Sequence, residues 1–237
     1  MFKKVVIADS LAPISDNIFL NYQTLDGGTL ILGAIYFSFQ IYCDFSGYSD
    51  IAIGTAKLFG IELMSNFKFP YFSRNIGEFW RKWHVSLSSW FRDYLYIPLG
   101  GSRKSIVISI RNIFIIFIVS GFWHGANWTF IVWGLFHSIL FLPSFFLKTN
   151  RKYLNEKIAE NNFLPSLKDF YNISLTFSLV TLGWIFFRSE NISNSLEYIN
   201  KIFFEFNIPQ SNRSGLIFII PFIVVDYLFR KDERSPF

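Results

Sequence analysis

Two near-continuous apolar runs constrain this chain more than any other feature: ISIRNIFIIFIVSGFW (about 105 to 123) and WTFIVWGLFHSILFLPSFFL (about 128 to 147). Each reaches or approaches the length needed to cross a hydrocarbon core ~30 Å thick. A helix buried in a soluble core keeps one polar face over such a length; these do not. Three further stretches are expected to span: TLILGAIYFSFQIYCDFSGYSDIAIG (29 to 54), ISLTFSLVTLGWIFF (173 to 187) and GLIFIIPFIVVDYLF (215 to 229). Composition points the same way, because a chain that is 51% hydrophobic, 21% aromatic and only 16% charged has too little polar surface for one or two soluble domains. The N-terminal MFKKVVIADSLAP has no apolar core long enough for a signal peptide and no small-residue cleavage pattern after it. Insertion is therefore expected to rely on internal segments. The fold class that follows is all-α, a polytopic membrane helical bundle.

The net charge of +5 would suggest nucleic acid in a soluble protein. Here the basic residues cluster in loops beside apolar segments, which is what membrane orientation requires, so no nucleic-acid partner is expected. The loop from Lys57 to Lys104 carries Lys57, Lys68, Arg74, Arg81, Lys82, Arg92, Arg103 and Lys104 against Glu62, Glu78 and Asp93. By the positive-inside rule it faces the cytoplasm. Two crossings later KTNRKYLNEKIAENN returns to the same side, and RKDER follows the last span on that side; the more acidic RSENISNSLEYINKIFFEFNIPQSNRSG suits the other face. The single cysteine, Cys43, has no second thiol for a disulfide or a CxxC site.

NIGEFWRKWHVSLSSWFRDYLYIPLGG is aromatic-rich yet too charged for an ordinary span. Wound as one helix at about 100° per residue, it puts Arg81, His84, Ser88 and Arg92 on one stripe and Trp83, Leu87, Trp90 and Tyr94 opposite. Pro98 and the Gly100-Gly101 pair end it. Such an amphipathic or re-entrant segment either lies at the membrane interface, Trp to lipid and Arg to headgroups, or turns its polar stripe towards a cavity.

All three histidines, His84, His124 and His137, fall in this aromatic middle third. Ionisable rings at membrane depth are costly and usually face a bundle interior or a wet path. Apolar surroundings keep imidazole neutral, the form that acts as a general base. His137, inside VWGLFHSILF, reads as a packing histidine. His84 also suits an interfacial position among tryptophans. His124 sits at a break flanked by Gly121 and Gly125 and followed by Asn127, better placed to meet a substrate than a mid-helix ring. The pattern excludes other chemistries: there is no HExxH or tight His/Cys/Asp cluster for a metal, no GxSxG elbow and no glycine-rich phosphate loop. Asp44 and Asp50 in YCDFSGYSD are six apart and so on different helix faces; they serve either as a carboxylate site or in caps and interhelical hydrogen bonds with Ser46, Tyr48 and Ser49.

Three stretches, QIYCDFSGYSDIAIGTAKLFGI, NFKFPYFSRNIGEFWRKWHVSLSSWFRDYLYIPLGG and SGFWHGANWTFIVWGLFHS, resemble the membrane-bound O-acyltransferase (MBOAT) family, in its branch for bacterial polysaccharide O-acetylation of the alginate type. The likeness runs from FKKVVIADSLAP to LGWIFFRSENISNSLEYI, and family members carry several further spans before the first of these. The resemblance thus implies a single, partial MBOAT membrane domain over 1–237, the C-terminal catalytic portion, in a bacterial inner membrane. It implies that His124, the histidine of GFWHG, is catalytic and that His84, the histidine of WRKWH, is also required. It further implies a cytoplasmic thioester donor, acetyl-coenzyme A or an acylated carrier protein, with no bound cofactor. A tunnel would carry the acetyl group to a polysaccharide hydroxyl on the outer side or to an extracytoplasmic acetyltransferase partner. Trp83 would belong to that tunnel. Candidate donors to the oxyanion are Asn127, the indole N–H of Trp123 or Trp128, and protonated His84. Arg81 and Arg92, the latter beside Asp93, could attract the donor's phosphates, although membrane orientation explains the same charges. The rival functions are a transporter using the histidines as a proton relay, and a non-catalytic scaffold of an acetylation complex.

Overall fold

In the computed structural model, described for residues 1–101, 104–154, 156–160, 162–209 and 211–232, the chain is helical, and among these residues the only β pairing is one isolated bridge. Arg103, and Glu233 and Arg234 of RKDER, which entered the charge count above, lie outside the described residues, as do Asn155, Asn161 and Gln210 of the two loops. The α-helices run α1 (Asp9–Leu20), α2 (Gly27–Leu58), α3 (Ile76–Lys82), α4 (Val85–Phe91), α5 (Ile106–His124), α6 (Trp128–Phe146), α7 (Leu167–Arg188), α8 (Ile192–Phe204) and α9 (Leu216–Phe229). Four of them, α2, α5, α6 and α7, are long and apolar enough to cross a membrane. The run at 215 to 229 forms α9, whose 14 residues rise only about 21 Å, short of the hydrocarbon thickness.

Two compact units can be described: residues 1–65 with 184–229, and the described residues of 66–183 with 230–232. In the first, α2 packs on α1 and α8. Asp26 caps α2 by accepting the Thr29 N–H at 3.0 Å. Gly27 and Gly33 allow the close approach, since a β carbon would lie 2.5 Å from the Lys201 carbonyl oxygen and 2.5 Å from Ile18 respectively. Asp44 pairs with Lys4, and Asp50 with Lys3 at 3.0 Å, both lysines lying in a short π-helical stretch at Lys3–Ala8.

In the second unit, α5 and α6 form an antiparallel hairpin whose backbones touch. A β carbon on Gly121 would lie 2.2 Å from the Phe130 carbonyl oxygen, and one on Gly134 would lie 2.2 Å from that of Phe117. Small residues facing each other are how apolar helices gain contact when lipid offers no hydrophobic contrast. The turn is Gly125–Asn127: Gly125, at φ 153°, ends α5, and Asn127 caps α6 by accepting the Thr129 N–H at 3.1 Å.

Between residues 76 and 96 the single amphipathic helix expected from the sequence does not form. Helix α3 stops at Lys82, Trp83 is extended, and His84 takes the left-handed conformation at φ 46° and ψ 56° before α4 starts. A π-helical turn at Arg92–Tyr96 follows, then the expected stop, with Gly100 and Gly101 both at positive φ. Helix α3 carries a buried ionic cluster. Glu78 is 0% exposed, Arg74 6% and Lys82 9%. Glu78 accepts from the Arg74 backbone N–H (2.7 Å), from its Nε and Nη2 (3.2 and 3.1 Å) and from Lys82 Nζ (2.8 Å). Burial alone would push the Glu78 carboxyl up; the Lys82 ammonium and the Arg74 donors outweigh it and hold it below the usual carboxylate range. Arg74 also stacks on the Tyr153 ring at 3.6 Å and donates to the Glu156 carbonyl at 2.9 Å.

Two measurements check these contacts. Glu78→Ala strands two buried cations and should cost about 3–5 kcal/mol, seen as a large drop in the unfolding midpoint in detergent. Gly134→Ala forces α5 and α6 apart and should cost about 1–3 kcal/mol, read in the same assay; an unchanged midpoint would contradict the backbone contact.

Candidate active site

A cavity of about 630 Å³ opens within the second unit. One wall is α5, which contributes Ile106, Ile113, Ile116, Phe117, Ser120 and His124. At 100° per residue these fall within an arc of about 100°, and they run the whole helix, about 27 Å of rise. One face of α5 therefore contributes lining residues from its first residue to its last. Opposite it, α6 supplies Trp133, Phe141, Phe145 and Phe146, followed by Lys148, Asn150 and Arg151. The third wall is the broken segment: Trp80, Trp83, His84, Leu87, Ser88, Phe91, Arg92 and Tyr96. The break matters because Trp83 and Leu87, expected on one helix face, share this space with His84, Ser88 and Arg92, expected on the other.

His84 and His124 share this cavity. The Trp123 ring lies 6.1 Å from that of His84 and 4.9 Å from that of His124, and Trp133 meets His124 edge-on at 5.4 Å. Ser86 Oγ lies 3.4 Å from His84 Nδ1. Burial holds the His84 ring down at a pKa of about 4, so it is neutral at physiological pH. At that value the ring offers a neutral nitrogen at physiological pH rather than an imidazolium.

The other sequence candidates divide. Trp83 and Arg92 line the cavity, with Arg92 tied to exposed Asp93 at 2.7 Å. Arg81 does not line it; one of its guanidinium nitrogens donates to the Asn150 carbonyl, fixing the loop after α6 against α3. Asn127 spends its side-chain oxygen on the α6 cap. Trp123 and Trp128 are 58% and 73% exposed, and neither is among the lining residues. Asp44 and Asp50 belong to the other unit, with their lysines. His137 is 0% exposed between Trp80 at 5.0 Å and Trp133 at 5.1 Å, a packing position. Among the described residues no three His, Cys, Asp or Glu side chains group as metal ligands.

Lys148, Arg151 and the apolar lining were missed as site residues in the sequence. The signal was present, because the α5 lining keeps a stripe, but a helix apolar all round hides which stripe faces protein.

The family model for the membrane-bound O-acyltransferases matches residues 2–182. The chain is 41% identical over 229 residues to a probable alginate O-acetylase of Pseudomonas putida, covering 95% of this chain and 44% of that protein. It is 42% identical over 199 residues to a peptidoglycan O-acetyltransferase of Helicobacter pylori, covering 84% and 36%, and 34% identical over 162 residues to a teichoic acid D-alanyltransferase of Bacillus subtilis, covering 65% and 40%. The chain spans about two-fifths of the length of these relatives. With a family match over residues 2–182, most of its length, this chain belongs to the membrane-bound O-acyltransferase family.

Proposed function

We propose that this protein transfers an acetyl group from a cytoplasmic thioester donor to a hydroxyl of an extracytoplasmic polysaccharide, in a bacterial inner membrane, with His124 as the general base. The observation that carries the reading is the meeting of His84 and His124 in one apolar cavity whose wall follows α5 from end to end.

The chemistry follows from the surroundings. A neutral imidazole at His124 accepts the acceptor hydroxyl's proton as that oxygen attacks the thioester carbonyl carbon. The tetrahedral intermediate collapses, the carbon–sulfur bond breaks, and the thiolate takes the proton back from His124. The base ends as it began, and no cofactor is consumed. His84, neutral and held near Ser86, is suited to donate a hydrogen bond to the oxyanion rather than to supply a charge. The donor's chemistry is suggested by Lys148, Arg151 and Arg92, three cations among lining residues that include no carboxylate, although Arg92 is paired with Asp93 just outside the lining. That composition favours a phosphate-bearing donor, acetyl-coenzyme A or an acylated carrier, and by the positive-inside rule this end is cytoplasmic. The likeness to relatives named for alginate, peptidoglycan and teichoic acid supports a cell-envelope polymer as acceptor. A transporter reading has no feature here that needs it.

His124→Ala should lower acetyl transfer to polysaccharide by about 10²–10⁴-fold, measured in membranes holding equal amounts of each variant; retained transfer removes His124 from the role of base. A second measurement concerns His84. Its folded pKa of about 4 lies below the free value of about 6.5, so the unfolded chain binds the extra proton. Stability from this group is complete above pH 6.5 and falls as pH drops towards 4. The thermal midpoint should therefore fall between pH 7 and pH 5 in detergent. His84→Asn, which tolerates the same backbone conformation, should make that dependence measurably shallower.

A further inference from the structure

Helix α4 starts without help from its own first residue. His84 holds the N-cap position and makes no side-chain cap hydrogen bond, and its backbone is left-handed, which residues with a β carbon rarely adopt. The amides at the head of α4 are met from elsewhere. The Val85 N–H donates to the Asn66 carbonyl at 3.1 Å, and the Ser86 N–H donates to Asn66 Oδ1 at 3.1 Å. The His84 carbonyl still accepts the Ser88 N–H at 3.0 Å, as an N-cap backbone does, while Asn66, 20 positions before Ser86, supplies the acceptor a capping side chain normally provides and a second one for the Val85 N–H.

The neighbours of Asn66 extend this template. Phe67 forms the isolated bridge with Trp83, their rings 5.1 Å apart, and the Lys68 N–H donates to the Lys82 carbonyl at 3.0 Å. Residues 66–68 therefore run beside 82–86 and fix the break that the local sequence does not encode. Ser86, held by Asn66 through its N–H, brings its hydroxyl within 3.4 Å of His84 Nδ1.

We infer that Asn66 is the positioning residue of His84: by capping α4 from outside, it leaves the imidazole to line the cavity and places Ser86 to orient its ring. The inference rests on the reading that His84 belongs to the reacting site, but it concerns geometry that can be probed without turnover. Without Oδ1, the head of α4 regains an acceptor only by relaxing the His84 backbone or turning the ring back towards the helix.

The probe is diethyl pyrocarbonate, which modifies histidine rings, with each site resolved by mass spectrometry on the purified protein in detergent. His137, wholly buried, reports whether the core has opened. Asn66→Ala should raise the His84 modification rate roughly five- to tenfold, the size of one lost cap, while His137 stays protected. Asn66→Asp keeps the acceptor and should return the rate to that of the unaltered protein. An unchanged His84 rate in Asn66→Ala, or an Asp variant no better than Ala, overturns the inference. If Asn66→Ala also exposes His137, Asn66→Ser decides, since its shorter acceptor either restores His84 protection or counts against a capping role. Acyl transfer, measured in parallel, should show a lower kcat in Asn66→Ala at an unchanged donor KM, rescued in Asn66→Asp. Absence of transfer in the unaltered protein would sink the proposed function, yet the modification rates would still judge Asn66.

Discussion

Glu78 is the charge on which the architecture of the site depends. A carboxylate with no exposure survives only if its charge is balanced and its oxygens are occupied. Here Arg74 and Lys82 do both, and each is itself nearly buried. Because Arg74 precedes α3 and Lys82 is its last residue, the cluster fixes both ends of that seven-residue helix, too short to hold itself by hydrogen bonding alone. Everything that α3 delivers follows from this: Trp80 against Trp133 and His137, Trp83 against Phe67 and Phe79, and the abrupt turn at His84. The cluster stands where the chain most needs a rigid element and has the least helix from which to build one.

The three histidines show how position rather than residue type assigns a role. His137 lies mid-helix, shut in by aromatic rings, where no substrate can reach it. His124 is the last residue of α5, released from the helix by Gly125, so its ring faces the cavity while the hairpin turn begins behind it. His84 reaches the same space by the opposite device, a strained conformation before a helix rather than a relaxed one after it. A left-handed non-glycine residue costs about 1–3 kcal/mol and persists only where its surroundings over-determine it. Residues 66–68 and the Glu78 cluster are those surroundings.

Much of this was legible in the sequence, and the limits are physical. Apolar length alone identified α5 and α6, because in lipid every backbone group must be paired within the helix. Gly121, Gly125 and Asn127 marked the turn at His124 through ordinary helix-end chemistry. The break at His84 was not legible. A periodicity of 3.6 residues projects Arg81, His84, Ser88 and Arg92 onto one stripe only if the helix is continuous, and WRKWHVSL contains neither the proline nor the glycine that would announce an interruption. The signal lay 20 residues away from Ser86 in Asn66, a tertiary override that no local pattern carries. Apolar surroundings brought His84 and His124 to notice and family likeness gave them expected roles; only the fold brought them into one cavity.

The cavity is also much larger than an acetyl group needs. A two-carbon acyl and one hydroxyl would occupy the space around the histidines alone, leaving most of an apolar wall that continues along α5 to Ile106. Apolar wall left facing water would be costly, so it is built for an occupant that is slender and weakly polar over most of its length. In the proposed reaction that is the donor's arm rather than its acyl group: Lys148 and Arg151 would hold the charged head at the mouth, and the thioester would be presented to His124 from within the wall. Such an arrangement would make selectivity for the small acyl group depend on the lining beside His124, where Trp133 meets its ring at 5.4 Å, rather than on the cavity's overall volume.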